Sequence, residues 1–138
     1  MKDVIKPIRK AYIAALAGVG CPIYYQQLPN TVQPNEYILL TIPSNSNDSD
    51  KHLNGSIVTV RVGIYTQAEN INNGLASATI AAAVYAAILP NPTFTLTLEN
   101  MQMVTTNLQS DNEESFSIKN TIVYIDRFIN FTHKINHQ

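Results

Sequence analysis

Few side chains in this sequence could perform nucleophilic or acid–base chemistry. The chain has one cysteine, Cys21, and three histidines, His52, His133 and His137. A thiol nucleophile needs a histidine base held at a fixed geometry, and the pattern of the sequence places the histidines in a loop and in the C-terminal tail. We therefore interpret Cys21 as a small buried thiol at the start of a strand.

Two further groups could bind a metal ion. His133 and His137 are four residues apart, which would place them on one face of a helix, but no third ligand is evident. Asp111, Glu113 and Glu114 are neighbouring carboxylates that lack the ligand pattern and the glycine of a calcium loop, so we interpret them as a solvated turn. Phosphate-binding and hydrolase motifs are also missing. We predict a protein that is not an enzyme, with no catalytic residue, no cofactor and no metal site.

The composition narrows the class of protein. The chain of 138 residues has a net charge of −1 and only 14% charged residues, against roughly 25% in average soluble domains. The balance argues against a dedicated nucleic-acid binder, which normally has a basic excess. Few charges also give little repulsion between copies, so 45% hydrophobic residues indicate a surface that is covered in an assembly.

The length fits a single domain over residues 1–138. A single cysteine excludes an internal disulfide, and the charged N-terminus does not read as a secretory leader. The longest charge-free stretch is broken by prolines, which argues against a membrane span. We expect a protein made in a reducing cytoplasm.

The first predicted helix runs from Asp3, its cap, to about Ala17. Apolar residues at helical spacing form a stripe: Ile5, Ile8, Tyr12 and Leu16. Four of the nine basic residues lie off this stripe: Lys2, Lys6, Arg9 and Lys10. They are typical of a solvated helix face, and nucleic-acid binding is the alternative.

Five strands and a second helix are predicted after the first helix. The strands cover about 22–28, 36–42, 56–66, 94–103 and 116–128, with the helix over 70–89. The third strand is the clearest, because Val58, Val60, Val62 and Ile64 alternate with polar or small residues. Short connections favour a mainly antiparallel sheet. The predicted fold is a two-layer α+β domain of order α-β-β-β-α-β-β, with both helices on one face of the sheet.

Three polar segments are predicted to lie outside these elements. Residues 44–55 contain almost nothing apolar, residues 107–114 read as a polar connection, and residues 130–138 read as a loose tail. We expect the loop 44–55 to be mobile in the isolated subunit and to contact a neighbour in an assembly. Its expected anchors are Lys51, His52 and Leu53.

The second helix carries no charge between Ile71 and Leu89. One of its stripes contains Leu75, Ala78, Ala82, Tyr85 and Leu89. The other contains Ile80, Val84 and Ile88, at a large angle to the first. A helix that is apolar all round is buried on more than one side. We therefore expect Ile80, Val84 and Ile88 to be covered by another subunit or by the first helix.

The order of elements resembles the tail-terminator and tail-completion proteins of tailed bacteriophages. The resemblance covers nearly the whole chain. It rests on the N-terminal helix, the phrase Pro22–Pro29, the strand Tyr37–Ile42, the strand Ile57–Thr66, the charge-poor helix and two closing strands. These are patterns of size and order rather than an invariant motif.

The resemblance implies a structural virion protein without a catalytic residue, in the neck or tail of a particle made in the bacterial host cytoplasm. It implies a ring of identical subunits, a hexamer or a dodecamer, joining the head or connector to tail components. Its partners would be adjoining neck, portal-side or tail proteins, with no membrane, and with DNA only passing through the channel. The alternative is a small α+β binding module that binds nucleic acid through the basic helix.

Overall fold

A computed structural model describes residues 3–31, 34–47, 55–68, 75–118 and 122–137. It contains two α-helices, α1 (Ile5–Ala15) and α2 (Leu75–Ile88). Its strands are β1 (Ile23–Tyr25), β2 (Glu36–Asn47), β3 (Gly55–Ala68), β4 (Thr97–Leu98), β5 (Met101–Ile118) and β6 (Ile122–Asn136). A single 3₁₀ turn, Leu16–Gly18, continues α1.

The strands form one sheet in the order β1-β2-β3-β6-β5-β4. β1 pairs parallel with β2, and the other neighbours pair antiparallel. The α+β class and the mainly antiparallel sheet are confirmed, but the sheet has six strands in the described part of the chain, where the sequence predicts five. The predicted strand 94–103 is divided, because a two-residue turn at Glu99 and Asn100, with Asn100 at φ 59°, separates β4 from β5. The predicted strand 116–128 is wrong as a single strand, since β5 continues to Ile118 and β6 begins at Ile122. The order along the described residues is therefore α-β-β-β-α-β-β-β.

One face of the sheet carries the core. The alternation predicted in β3 is confirmed, because Val58, Val60, Val62 and Ile64 are all buried on that face. Opposite them in β6 stand buried residues such as Ile129 and Phe131. Both helices cover this face and complete one hydrophobic cluster.

The helix α1 lies in the curl of the sheet. The guanidinium of Arg9 lies 4.3 Å from the ring centre of Tyr25, in the edge strand β1. The next residue, Lys10, places its Nζ atom 3.1 Å from a carboxylate oxygen of Glu99, beside the opposite edge strand β4. In a flat sheet of six strands, the two edge strands would lie about 24 Å apart. Neighbouring residues of α1 reach both edges because the sheet bends around the helix.

The buried side of α1 differs by one position from the prediction. Val4, Ile8, Tyr12 and Leu16 are buried at a regular spacing of four, whereas Ile5 is exposed. The N-cap is Val4, one residue after the predicted Asp3. Asp3 still binds the first turn, since its Oδ1 accepts a hydrogen bond of 3.0 Å from the backbone N–H of Ile5.

The predicted loose tail is wrong for residues 130–136, which form the end of β6 at the centre of the sheet. Phe131, His133 and Ile135 point into the core and are at most 1% exposed. Polar residues such as Thr132 and Lys134 alternate with them on the other face. The tail is ordered because both of its neighbours, β3 and β5, form hydrogen-bonded ladders with it.

The described residues of the two other polar segments also lie in strands. Residues 44–47 extend β2 past a register shift after Thr41, and residues 107–114 lie inside β5. Together, these two segments bury little apolar surface. Their sequence therefore lacks the alternation of apolar and polar residues that indicates a strand. Their pairing with the neighbouring strand sets their conformation. Residues 48–54 of the predicted loop lie outside the described residues.

Candidate interaction surfaces

The lone cysteine does not have the environment of a reactive thiol. Cys21 is half-buried, forms no disulfide and lies just before the start of β1. Burial, and then the nearby carboxylate of Glu36, raise the pKa of the thiol. Nucleophilic cysteines have a lowered pKa, because the thiolate is the reacting species. This environment fits the structural role predicted for Cys21.

His133 belongs to a buried chain of hydrogen bonds. Its Nε2 atom accepts from the hydroxyl of Tyr12, and its Nδ1–H donates to Thr106 Oγ1 at 3.1 Å. That hydroxyl in turn donates to the sulfur of Met103 at 3.4 Å. These directions require a neutral imidazole with its proton on Nδ1. Burial lowers the pKa of His133 to about 4, so the ring stays neutral near pH 7.

His137 has a separate position and a separate partner. Its Nε2 atom is 2.7 Å from Ser56 Oγ, and its Nδ1 atom has no partner in the described part of the chain. His133 lies in β6 and His137 directly follows the end of that strand, so four residues at strand spacing separate them by about 13 Å. They cannot share one metal ion. Across the described ranges, no group of three histidine, cysteine or acidic side chains could hold a metal ion.

The acidic residues predicted to form a solvated turn connect β5 to α2 and β6. Arg127 donates two hydrogen bonds to Asp111, of 2.9 and 2.7 Å. The hydroxyl of Tyr85 donates to the same carboxylate at 2.6 Å, and Ser77 donates to Glu113 at 3.2 Å. The hydrogen bonds from Arg127 lower the pKa of Asp111. Burial and the bond to Asp111 raise the pKa of Tyr85 to about 12.

Three of the residues predicted to be covered by a partner subunit or by the first helix lie in the core of the same chain. Ile80 is 5% exposed, and Val84 and Ile88 are fully buried in the core of the same chain. They form the side of α2 that faces the core, so their cover comes from the same chain. Lys51, His52 and Leu53 lie outside the described residues.

The exposed side of α2 is made of small residues. Ala78, Ala82 and Ala86 recur at a spacing of four and face away from the core, together with Thr79. The charge-free character of α2 therefore reflects one buried aliphatic stripe and one exposed stripe of alanines.

The face of the sheet opposite the helices carries a row of aromatic rings. Tyr37 and Tyr65 stack with ring centres 4.9 Å apart and an interplanar angle of 13°. Tyr24 contacts Tyr37 edge to face at 6.2 Å, and Phe128 contacts Tyr65 in the same way at 5.8 Å. All four side chains are half-buried. We call Tyr24, Tyr37, Tyr65 and Phe128 the aromatic row.

Charged residues flank the aromatic row. Arg61 lies 5.6 Å from the ring centre of Phe128. Asp126 lies near Tyr37 and Tyr65. Burial, and then the charge of Asp126, raise the pKa of both Tyr37 and Tyr65. The predictions from the sequence do not include this surface. In β2 and β3, aromatic residues occupy positions that alternate with the buried aliphatic residues. This alternation is the sequence pattern that indicates the surface.

The basic helix is partly engaged within the chain. Arg9 lies over Tyr25, and Lys10 pairs with Glu99. Lys6 is exposed, and Lys2 lies outside the described residues. The basic residues of α1 thus point toward both edges of the sheet rather than forming one continuous patch.

Within the part of the chain that the structure describes, no helix is long and apolar enough to cross a lipid bilayer.

No protein-family model matches the chain, and no curated protein sequence matches it. Solved structures do share its fold. A chain from the virion of a native gene transfer agent particle is similar over 99% of both chains, with a TM-score of 0.70 and 18% identity. A second solved structure is similar over 96% of both chains, with a TM-score of 0.58 and 10% identity.

Proposed function

We propose that this chain is a structural protein of a phage-like virion, which forms a ring of identical subunits in the neck or tail and joins the head or connector to tail components. The observation that carries the proposal is the fold shared from end to end with a chain of a gene transfer agent virion.

The surface of the subunit supports an assembly role. A ring needs heterologous contacts, in which two different patches of each copy meet. The half-buried aromatic row and the open edges of the sheet are patches of different chemistry on different sides of the domain. Aromatic side chains are enriched in the cores of protein–protein interfaces.

The side chains that could do chemistry support a protein without catalysis. His133 bonds to Tyr12 and Thr106, and Asp111 bonds to Arg127 and Tyr85. Each of these groups is occupied in holding elements of the fold together, so we propose that the ring serves as a joint rather than as an enzyme.

The decisive experiment is native mass spectrometry of the purified chain over a range of concentrations, with negative-stain imaging of the same samples. We expect one closed oligomer, visible as rings with a central channel. A protein that stays monomeric at every concentration, or that forms only two-fold dimers, would contradict the proposal.

A further inference from the structure

The edge strand β5 is open along most of its length. β4 pairs only with Met101 and Gln102, and in the described ranges no strand lies beside the rest of that edge. Backbone N–H and C=O groups on such an edge are available to pair with another chain.

Protein edges are often protected by charges and bulges, and β5 has both. The two register shifts, however, lie between Met103 and Thr105 and between Leu108 and Ser110. From Ser110 to Ile118 the ladder with β6 is regular. This regular stretch is the part of the edge that can accept another strand.

The regular stretch lies at the same level of the sheet as β1, the strand at the opposite edge. Following the ladders across the sheet, one row contains Asp111, Ile129, Val62, Leu40 and Tyr25. The next row on the helix side begins at Glu113 in β5 and ends at Ile23 in β1.

Strand direction also fits. β1 runs parallel to β2, and the three antiparallel steps from β2 to β5 leave β1 and β5 running in opposite directions. A copy of the chain related by rotation about an axis along the strands would therefore present its β1 antiparallel to β5. Antiparallel pairing is the more stable arrangement.

The charges at the two edges are of opposite sign. The β5 edge carries Glu113 and Glu114, both exposed. α1 lies beside the β1 edge, since its Arg9 lies on Tyr25, and its Lys6 is exposed next to Arg9 along the helix. Glu113 and Tyr25 are both on the helix side of the sheet, so a neighbouring copy would bring its Arg9 toward Glu113.

We propose that the β5 edge of one copy pairs with the β1 edge and α1 of the next copy, with Glu113 facing Arg9 of its neighbour. The contact is heterologous, and such a contact closes into a ring when the rotation between successive copies completes a full turn. In the proposed ring, the sheet continues from subunit to subunit. This inference rests on the ring of the proposed function and names the surfaces that form it.

Charge reversal and mixing test the pairing. Glu113→Lys alone and Arg9→Glu alone each place like charges across every contact, and we expect at least a tenfold loss of apparent affinity between subunits. In an equal mixture of the two variants, each contact can again join opposite charges. We expect the mixture to recover oligomers in which the two variants alternate, measured by native mass spectrometry.

Matched controls come from the exposed pair at the other side of the helix. Glu99→Lys and Lys10→Glu change the net charge by the same amounts and remove only a solvent-exposed ion pair. We expect both to assemble like the wild type. Thermal melting of all four variants reports whether the fold is intact.

Proline substitutions test the backbone part of the pairing. Successive residues in a strand direct their N–H groups to opposite sides, so of Asn112→Pro and Glu113→Pro one removes a bond to β6 and the other removes a donor from the open edge. We expect one variant with a lowered melting temperature, and one that melts like the wild type but does not assemble.

The outcomes separate the two proposals. Rings that form normally with Glu113→Lys and with both prolines would overturn the β5–β1 contact and leave the ring itself standing. A wild-type chain that never oligomerises would overturn both. Loss of assembly in all charge variants, including the controls, would show that net charge rather than this edge controls association, and would also overturn the contact.

Discussion

The two faces of the sheet differ in the kind of side chain they carry and in what covers it. The helix side is aliphatic, and residues such as Val62 and Ile129 are fully buried there. The other side carries the aromatic row, whose rings are half-buried and lie against each other. The helix side obtains its cover within the chain. The aromatic row is only partly covered, by its own rings and by neighbours such as Arg61 and Leu28.

This difference separates residues that make the fold from residues that are free to serve an assembly. An aliphatic face without cover would leave a large apolar patch in water. Tyrosine combines an apolar ring with a polar hydroxyl, so it can stand partly in water and partly in a contact. We therefore expect substitutions on the helix side to change folding, and those on the aromatic row to change folding little.

The largest expected effect is on the helix side. Val84→Glu places a charge without a partner at a fully buried position, and we expect it to cost about 3–5 kcal/mol. Ala82→Glu, on the exposed side of the same helix, serves as the matched control and should change stability by less than about 0.5 kcal/mol. Urea denaturation followed by circular dichroism measures both. Equal stability of the two variants would contradict the assignment of the two sides of α2.

A second prediction uses pH to probe the same face. His133 has a pKa of about 4 in the folded chain and the ordinary value near 6.5 when unfolded. Below pH 6.5 the unfolded chain binds a proton that the folded chain does not, so stability falls as the pH falls, and the loss levels off below pH 4. The expected loss is about 3 kcal/mol.

The control for this prediction is His133→Asn. We expect this variant to be less stable at pH 7, because Tyr12 and Thr106 lose their partner. It should nevertheless lose less stability than the wild type between pH 6.5 and pH 4. An unchanged pH slope in His133→Asn would show that another group controls acid sensitivity. Asp126 acts in the opposite direction, since burial raises its pKa.

How well each strand could be predicted from the sequence depends on how its side chains are buried. β3 is covered on one face along its length, so its sequence alternates and its bounds are nearly as predicted. β6 alternates too, with Phe131, His133 and Ile135 facing the core, but a histidine and two asparagines disguise the pattern. In β5 most side chains from Asn107 to Ser115 are exposed. Its strand conformation depends on β6, which lies elsewhere in the sequence, so the local sequence cannot reveal it.

The same reasoning explains the sites. The charge-free stretch of α2 indicates burial, but the sequence does not say which chain provides the cover, and Val84 lies in its own core. The bond between Asp111 and Tyr85 joins residues that are 26 positions apart. Only the fold brings them together. The aromatic row likewise joins β1, β2, β3 and β6, so no short motif could announce it.

A smaller effect is expected on the aromatic row. Tyr37→Leu removes the stack with Tyr65 and the edge contact with Tyr24 but keeps apolar volume. Aromatic pairs contribute about 1 kcal/mol beyond their burial, so we expect a loss of about that size in the free energy of unfolding. Phe131→Leu, under α2 on the helix side, should cost more, because Phe131 is fully buried. The reverse order would contradict the distinction between the two faces.

The smallest expected effect concerns the backbone beneath the aromatic row. The ring of Tyr65 folds over Gly63, and a Cβ atom at Gly63 would lie 3.0 Å from Cε2 of that ring. Glycine in a strand interior is less stable than alanine by roughly 0.5–1 kcal/mol. In the wild type, Gly63→Ala should stabilise the backbone by this amount but weaken packing, because the ring of Tyr65 must shift. The net change in the free energy of unfolding should therefore be close to zero. When the ring is already removed by Tyr65→Ala, the same Gly63→Ala should stabilise by about 0.5–1 kcal/mol.

A double-mutant cycle in urea measures the difference, and near-ultraviolet circular dichroism reports the displaced ring directly. Equal effects of Gly63→Ala in the two backgrounds would show that the ring and the glycine are not coupled, and that the aromatic row does not depend on the missing side chain at position 63.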